Sequence, residues 1–179
     1  MLRATCYLST LDDILAVRRR LAAEFPQAAL NFVQRQRASA HSAVECEAVA
    51  RLRAAPAEPL RFLNLPDLPL APAHSQVALV SAPRLAITGT QLAFGYTDSD
   101  ARLAFQRLGK ALEQVGASLQ NVAVSNLYPL SEPIAALAAR VQADFLGRAH
   151  LPAGSMLPFQ GLPSLDAAFA VEVVAVLPR

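Results

Sequence analysis

The order of apolar and polar positions predicts three helices. From Asp12 to Phe25 the residues Ile14, Val17, Leu21 and Phe25 recur at helical spacing, with Arg18, Arg19 and Arg20 around the other side. Thr10, Asp12 and Asp13 place acceptors and negative charge at its start. The clearest pattern runs from Asp98 to Val115, where Ala101, Ala104, Phe105, Leu108, Leu112 and Val115 form one stripe and Gly116 suits a left-handed C-cap. The third spans Ser131 to Leu146, with Pro133 in the first turn, Ile134, Leu137, Val141 and Phe145 facing inward, and Gly147 at the end. Strand patterns fill the gaps at Thr5–Leu8, Leu30–Arg37, Ala43–Arg51, Gln76–Ser81, Leu85–Leu92, Val122–Tyr128, Ser155–Gln160 and Ala168–Leu177. The β-branched run Val171–Val176 is the plainest of them. Between Ala54 and Pro72 the prolines 56, 59, 66, 69 and 72 mark an extended connector.

An internal repeat organises these elements. The spacing from Ile14 to Phe25 returns from Ile134 to Phe145, and Arg20 and Arg140 fall at the same offset. A proline follows each helix (Pro26 and Pro152), then two strands, the second carrying a glutamate in an apolar frame: Val44-Glu45-Cys46-Glu47-Ala48-Val49 and Val171-Glu172-Val173-Val174-Ala175-Val176. The predicted order is βαββ, a linker, then ββαβαββ. That divides the chain into a half-repeat at 1–53, a linker at 54–72 and a complete unit at 73–179. Because Met1 falls before a strand in mid-unit, the reading frame is expected to begin upstream, which intact mass of the native protein would test.

Composition narrows the function classes. Apolar residues make up 54% of 179 and charged residues only 17%, which excludes a disordered chain and supplies a core. The net charge of +2, with Lys110 the single lysine and no tryptophan, gives no electrostatic or stacking basis for nucleic acid or anionic membrane as partner. No segment reads as membrane-spanning, and Met1-Leu2-Arg3 leads into polar residues without the apolar stretch of a signal peptide, so a cytoplasmic protein is expected. Cys6 and Cys46 are accordingly read as two buried thiols, a bridge between them being the open alternative. His41 and His150 join no cysteine or carboxylate at metal-ligand spacing; no metal and no cofactor are expected. Walker, dinucleotide and nucleophile-elbow glycine motifs are missing from the sequence.

From about Pro72 onward the ordered set Ala73-His74-Ser75-Gln76, Ala86-Ile87-Thr88-Gly89-Thr90-Gln91, Ala111-Leu112-Glu113-Gln114-Val115-Gly116-Ala117, Pro152-Ala153 and the Glu172 strand resembles the Rid/YjgF family, often labelled endoribonuclease L-PSP. The resemblance implies an α+β, chorismate-mutase-like sheet with two helices packed on one face, here preceded by the βαββ half-repeat. It also implies a homotrimer with small-molecule clefts. The departures are informative. The arginine with which imine deaminases of the family clamp a substrate carboxylate is Gly154 here, and the partial copy has Gln27-Ala28 after Pro26. The family's tyrosine is His74, its serine is Gly89 and its helix-two asparagine is Ala138, while Glu172 is kept. Ordinary 2-iminoacid deamination is therefore not expected.

Within that family the fused arrangement, with Thr88-Gly89-Thr90-Gln91-Leu92 and the proline connector, resembles the chorismatases, often labelled pteridine-dependent dioxygenase-like proteins, which fuse two divergent Rid-like units. This implies a lyase or hydrolase acting on chorismate or a related carboxylated metabolite, with Glu172 as general acid. A carboxyl in an apolar strand suits that role, since burial favours its protonated form. His74, Gly89, Gln91, Gly154 and Ser155 are the candidate substrate-binding positions, the last two through backbone N–H groups, with Arg84, Arg140 or Arg148 holding carboxylates. Against each stands a plain structural role: a solvent-facing strand glutamate, strand-end glycines, a solvated loop histidine. Glu47 is the counterpart of Glu172 in the partial copy and lines no complete cleft without the other half-domain, while the Arg35–Arg37 alternation and the Arg18–Arg20 run read mainly as surface. The competing function is a non-catalytic binder of a small ligand or partner chain.

Overall fold

The computed structural model describes residues 1–35, 44–67, 73–148 and 151–177. Arg37, His41, Pro69, Pro72 and His150 lie outside the described residues. The chain divides into two compact units, Met1–Arg53 and Ala54–Arg179.

In the first unit β1 (Arg3–Leu8) is the middle strand of three, parallel to β2 (Ala29–Gln34) and antiparallel to β3 (Val44–Val49). The parallel pairing needs a crossover, which α1 (Ile14–Glu24) supplies. The half-buried positions of α1 are Ile14, Val17 and Leu21, the predicted stripe, although no residue of this helix is fully buried. Arg18 lies 5.3 Å above the Phe32 ring, and Arg20 pairs with Glu24 one turn away.

One expectation is overturned in this unit. Cys6 and Cys46 sit opposite one another on β1 and β3 and form a disulfide. The strand register, invisible to composition, brings the two thiols together across a ladder pair.

The second unit is built on β9 (Ala167–Val176). β6 (Leu85–Ile87) and β7 (Gln91–Phe94) pair in succession along one side of it, and β8 (Val122–Pro129) along the other, all antiparallel. The expected single strand Leu85–Leu92 is interrupted because the Thr88 hydroxyl accepts the Val173 N–H at 3.0 Å, replacing a ladder bond with a side-chain one. Within the proline-rich segment β4 (Leu60–Leu63) pairs antiparallel with β5 (Val77–Val80). The run Ser155–Gln160 is not a strand. Ala153 and Met156 make isolated parallel bridges to β8, and Pro152 and Pro158, lacking N–H groups, bracket the segment and prevent a continuous ladder.

Two helices, α2 (Asp98–Glu113) and α3 (Glu132–Leu146), cover one face of this sheet. Thr97 and Asp100 close a capping box at the start of α2. Phe105, Leu108 and Leu112 of α2 and Val141 of α3 meet Phe169, Val171 and Val173 in the core, each large side chain contributing about 2 kcal/mol by burial. Val115, expected on the α2 stripe, lies past the last turn and is exposed. Gly116 and Gly147 take positive φ values of 76° and 86° just beyond the helices, as their placement predicts. Asp98 of α2 binds both Arg102 and Arg140, and Arg102 also reaches Asp144, tying the helices together at their outer surface.

Candidate functional site

Alternation along β9 decides which residues face away from the helices. Phe169, Val171, Val173 and Ala175 point into the core, so Ala170, Glu172, Val174 and Val176 point the other way. Asn126 of β8 is the direct partner of Glu172, and Tyr128 is the partner of Ala170. The three polar side chains therefore share one patch of the face opposite the helices.

The contacts at Glu172 are asymmetric. Tyr128 donates its hydroxyl to Oε1 at 2.7 Å, and the Asn126 amide donates to the same oxygen at 3.3 Å. Oε2 has no hydrogen bond among the described residues. Asn126 is oriented in turn by the Ser155 backbone N–H, which donates to its Oδ1 at 3.1 Å. Phe159 packs edge-on against the Tyr128 ring at 5.2 Å. Both side-chain hydrogen bonds thus converge on one carboxylate oxygen, and the groups supporting it are nearly buried, Asn126 and Ser155 each at 9% exposure.

Gly154 and His74 adjoin this cluster. A Cβ on Gly154 would fall 1.8 Å from the Ser125 carbonyl oxygen, so the chain passes β8 too closely for any side chain. The clamp arginine is excluded here by backbone packing as well as by sequence. The His74 ring lies over Gly154, with Cδ2 3.0 Å from that same Cβ position. His74 is 6% exposed, buried rather than solvated as its loop position suggested. Burial lowers its pKa to about 4, outweighing a bond to the Ser125 backbone that raises it, so the ring is neutral at pH 7.

The segment carrying His74 is anchored from α3. Gln142, fully buried, donates to the Ala73 carbonyl at 2.8 Å and accepts the Ser125 hydroxyl at 2.7 Å. Tyr128, Asn126 and Gln142 were not anticipated from the sequence. Asn126 and Tyr128 were open to detection, since alternation along a strand paired with β9 marks them as co-facial with the glutamate.

Other candidates lie elsewhere. Gly89 is exposed with open space around it. Gln91 pairs with Val171 and so lies on the helix-bearing face, away from Glu172. Arg140 is engaged with Asp98 on the helix surface. In the first unit Glu47 is ion-paired with Arg3 at 2.7 Å, and Arg35 approaches Glu45 at 3.6 Å. Among the described residues, no group of three or more His, Cys, Asp or Glu side chains could hold a metal, and no helix is long and apolar enough to cross a membrane.

No protein-family model and no curated protein matches the sequence. Solved structures do. The Rid-family protein YyfB from Yersinia pestis, of unknown function, aligns with a TM-score of 0.59 at 21% identity, covering 67% of this chain and all of its own. Yeast Mmf1 aligns at 0.49 and 23% identity over 66% of this chain and 99% of its own, and RidA from an Antarctic Psychrobacter at 0.48 and 18% over 60% and 97%. With its mixed sheet and two helices on one face, this chain has the α+β fold of the Rid proteins.

Proposed function

We propose that this chain is a Rid-type small-molecule enzyme, chorismatase-like, acting on chorismate or a related carboxylated metabolite with Glu172 as general acid. The observation carrying the proposal is the divided glutamate: Oε1 held by Tyr128 and Asn126, Oε2 without a hydrogen bond among the described residues. A proton delivered from Oε2 to the methylene carbon of an enolpyruvyl ether gives an oxocarbenium centre. Water adds there, and the hemiketal collapses to pyruvate and the ring alcohol, returning a proton to the carboxylate. One water is consumed and no redox partner is needed.

The topology of the first unit supports reading residues 1–53 as a partial copy. Its order β2-β1-β3, with one parallel and one antiparallel neighbour, matches the segment around 153–156, β8 and β9. Leu85 and Ile87 of β6 pair with residues on the Glu172 side of β9 and are 47% and 77% exposed. That apolar rim suits contacts between copies in a homotrimer, which light scattering would test. The cytoplasmic location expected from the sequence has to accommodate a disulfide, a bond that persists in oxidising compartments.

A second reading, a non-catalytic binder, is favoured by the exclusion of a clamp arginine at Gly154. The experiment separating the two is incubation with chorismate and detection of pyruvate, with Glu172→Gln alongside. Turnover lost in the variant supports the enzyme. Chorismate binding without turnover in the parent protein supports the binder.

A further inference from the structure

The Cys6–Cys46 bridge is unequally exposed at its two ends. Cys6 lies on the central strand β1 and is 0% exposed, whereas Cys46 is an exposed residue of β3, an outer strand in the order β2-β1-β3. The two are direct partners in the β1–β3 register, and on its other side Cys6 is partnered by Phe32 of β2. Thiol–disulfide exchange requires a thiolate to approach one sulfur from behind, along the extension of the S–S bond, so access decides which sulfur is attacked. Prolonged past Cys6, that line runs toward Phe32, whose ring carries the Arg18 guanidinium at 5.3 Å. Prolonged past Cys46, it leaves the sheet, since no strand pairs with the outer side of β3 among the described residues.

Charge placement permits the same approach. Side chains alternate along β3, so the exposed Val44 and Ala48 flank Cys46 on its own face, while Glu45 and Glu47 project from the other. An anionic thiolate therefore meets the sulfur with no β3 carboxylate on that face. Nor is β3 held in place by burial. Five of its six residues are exposed and the sixth, Glu47, is only half-buried. Its ion pairs, Arg3–Glu47 and Arg35–Glu45, each contain a side chain more than half exposed and contribute little. The ladder to β1 and the bridge are what fix it, and an exposed edge strand of this kind is among the first parts of a fold to open.

We infer that Cys46 is a site of reversible thiol–disulfide exchange, at which a small dithiol opens the bridge without unfolding the protein and frees β3 from β1. One thiolate of the dithiol bonds to Cys46 Sγ as the Cys6–Cys46 bond breaks, and the electron pair leaves with Cys6, which takes a proton. The second thiol, losing its proton, attacks the first sulfur of the dithiol and expels Cys46, which is protonated in turn. Two electrons pass to the protein, and the dithiol becomes a cyclic disulfide.

The test uses the full chain with its bridge formed, in native buffer. Dithiothreitol is added at rising concentrations, samples are quenched in acid, and freed thiols are counted by alkylation and mass. The rate should rise in proportion to dithiothreitol throughout; a rate that levels off means that attack waits for unfolding, and overturns the inference. Glutathione, which has a single thiol, should give an acid-trapped early adduct on the peptide containing Cys46. An adduct mainly on Cys6 overturns the assignment. Hydrogen exchange then compares the bridged and reduced forms. The β3 peptide should exchange about tenfold faster after reduction, with β2 and β9 unchanged. Unchanged exchange in β3 overturns its release, and equal acceleration in β2 overturns it as well, because the whole first unit would then have unfolded. A chain that keeps two free thiols in excess glutathione disulfide overturns reversibility.

Discussion

Acid should destabilise this protein through His74 in a defined window. Its pKa is 6.5 in the unfolded chain and about 4 in the fold, because the buried ring resists charge. Above pH 6.5 neither state is protonated and the residue adds no pH dependence. Between pH 6.5 and 4 the unfolded chain takes up a proton that the folded chain refuses, so stability falls with pH by about 1.4 kcal/mol per unit. Below about pH 4 both states are protonated and the loss levels off near 3 kcal/mol. Carboxylates titrate in the lower part of this range, so the measurement is a difference. Urea unfolding of the full chain and of His74→Asn is followed at pH 7.0, 6.0, 5.0 and 4.5. The absolute stability of the variant is immaterial; the slope is the readout. The variant should lose less stability than the parent on acidification, the gap reaching about 2–3 kcal/mol by pH 4.5. Parallel curves would refute the burial argument.

Other expectations follow from named contacts. Gly154→Ala should cost about 3 kcal/mol in urea unfolding, since the new methyl meets the Ser125 carbonyl; unchanged stability would show that the chain can move aside. Gln142→Leu should cost about 3 kcal/mol by orphaning the Ser125 hydroxyl and the Ala73 carbonyl, and Gln142→Glu should recover part of this by accepting from Ser125. The Cys6–Cys46 bridge spans a sequence separation of 40 and is expected to contribute about 4 kcal/mol by constraining the unfolded chain. Thiol titration in denaturant should find no free cysteine before reduction, and the double alanine variant should melt at lower temperature.

The sequence was most legible where one periodicity repeats over many residues. The stripes of α2 and α3, their glycine ends and the continuous β9 run all carry signals set by local geometry. The period-two alternation along β9 that sets Glu172 apart from the core side chains is equally local. What escaped was non-local. The disulfide depends on the β1–β3 register, which no count of cysteines supplies. His74 looked like a loop histidine because its burial comes from Ser125 and Gly154, distant in sequence. Gln91 belonged to a suggestive motif, yet the β7 register turns it to the opposite face from Glu172. Gln142 reads as a polar residue on a helix, and only the packing of α3 against Ala73 and Ser125 reveals its fully buried role.

The central claim is that Glu172 Oε2 donates the proton that releases pyruvate. The most direct measurement is pyruvate formation from chorismate by the purified chain, by Glu172→Gln and by Tyr128→Phe, each with chorismate binding measured in parallel. The account predicts pyruvate from the parent chain. Glu172→Gln should bind nearly as well but form none above background. Tyr128→Phe should be slowed about tenfold, having lost one orienting hydrogen bond. Pyruvate formed at an undiminished rate by Glu172→Gln would contradict the account, as would chorismate bound tightly and left intact by the parent chain.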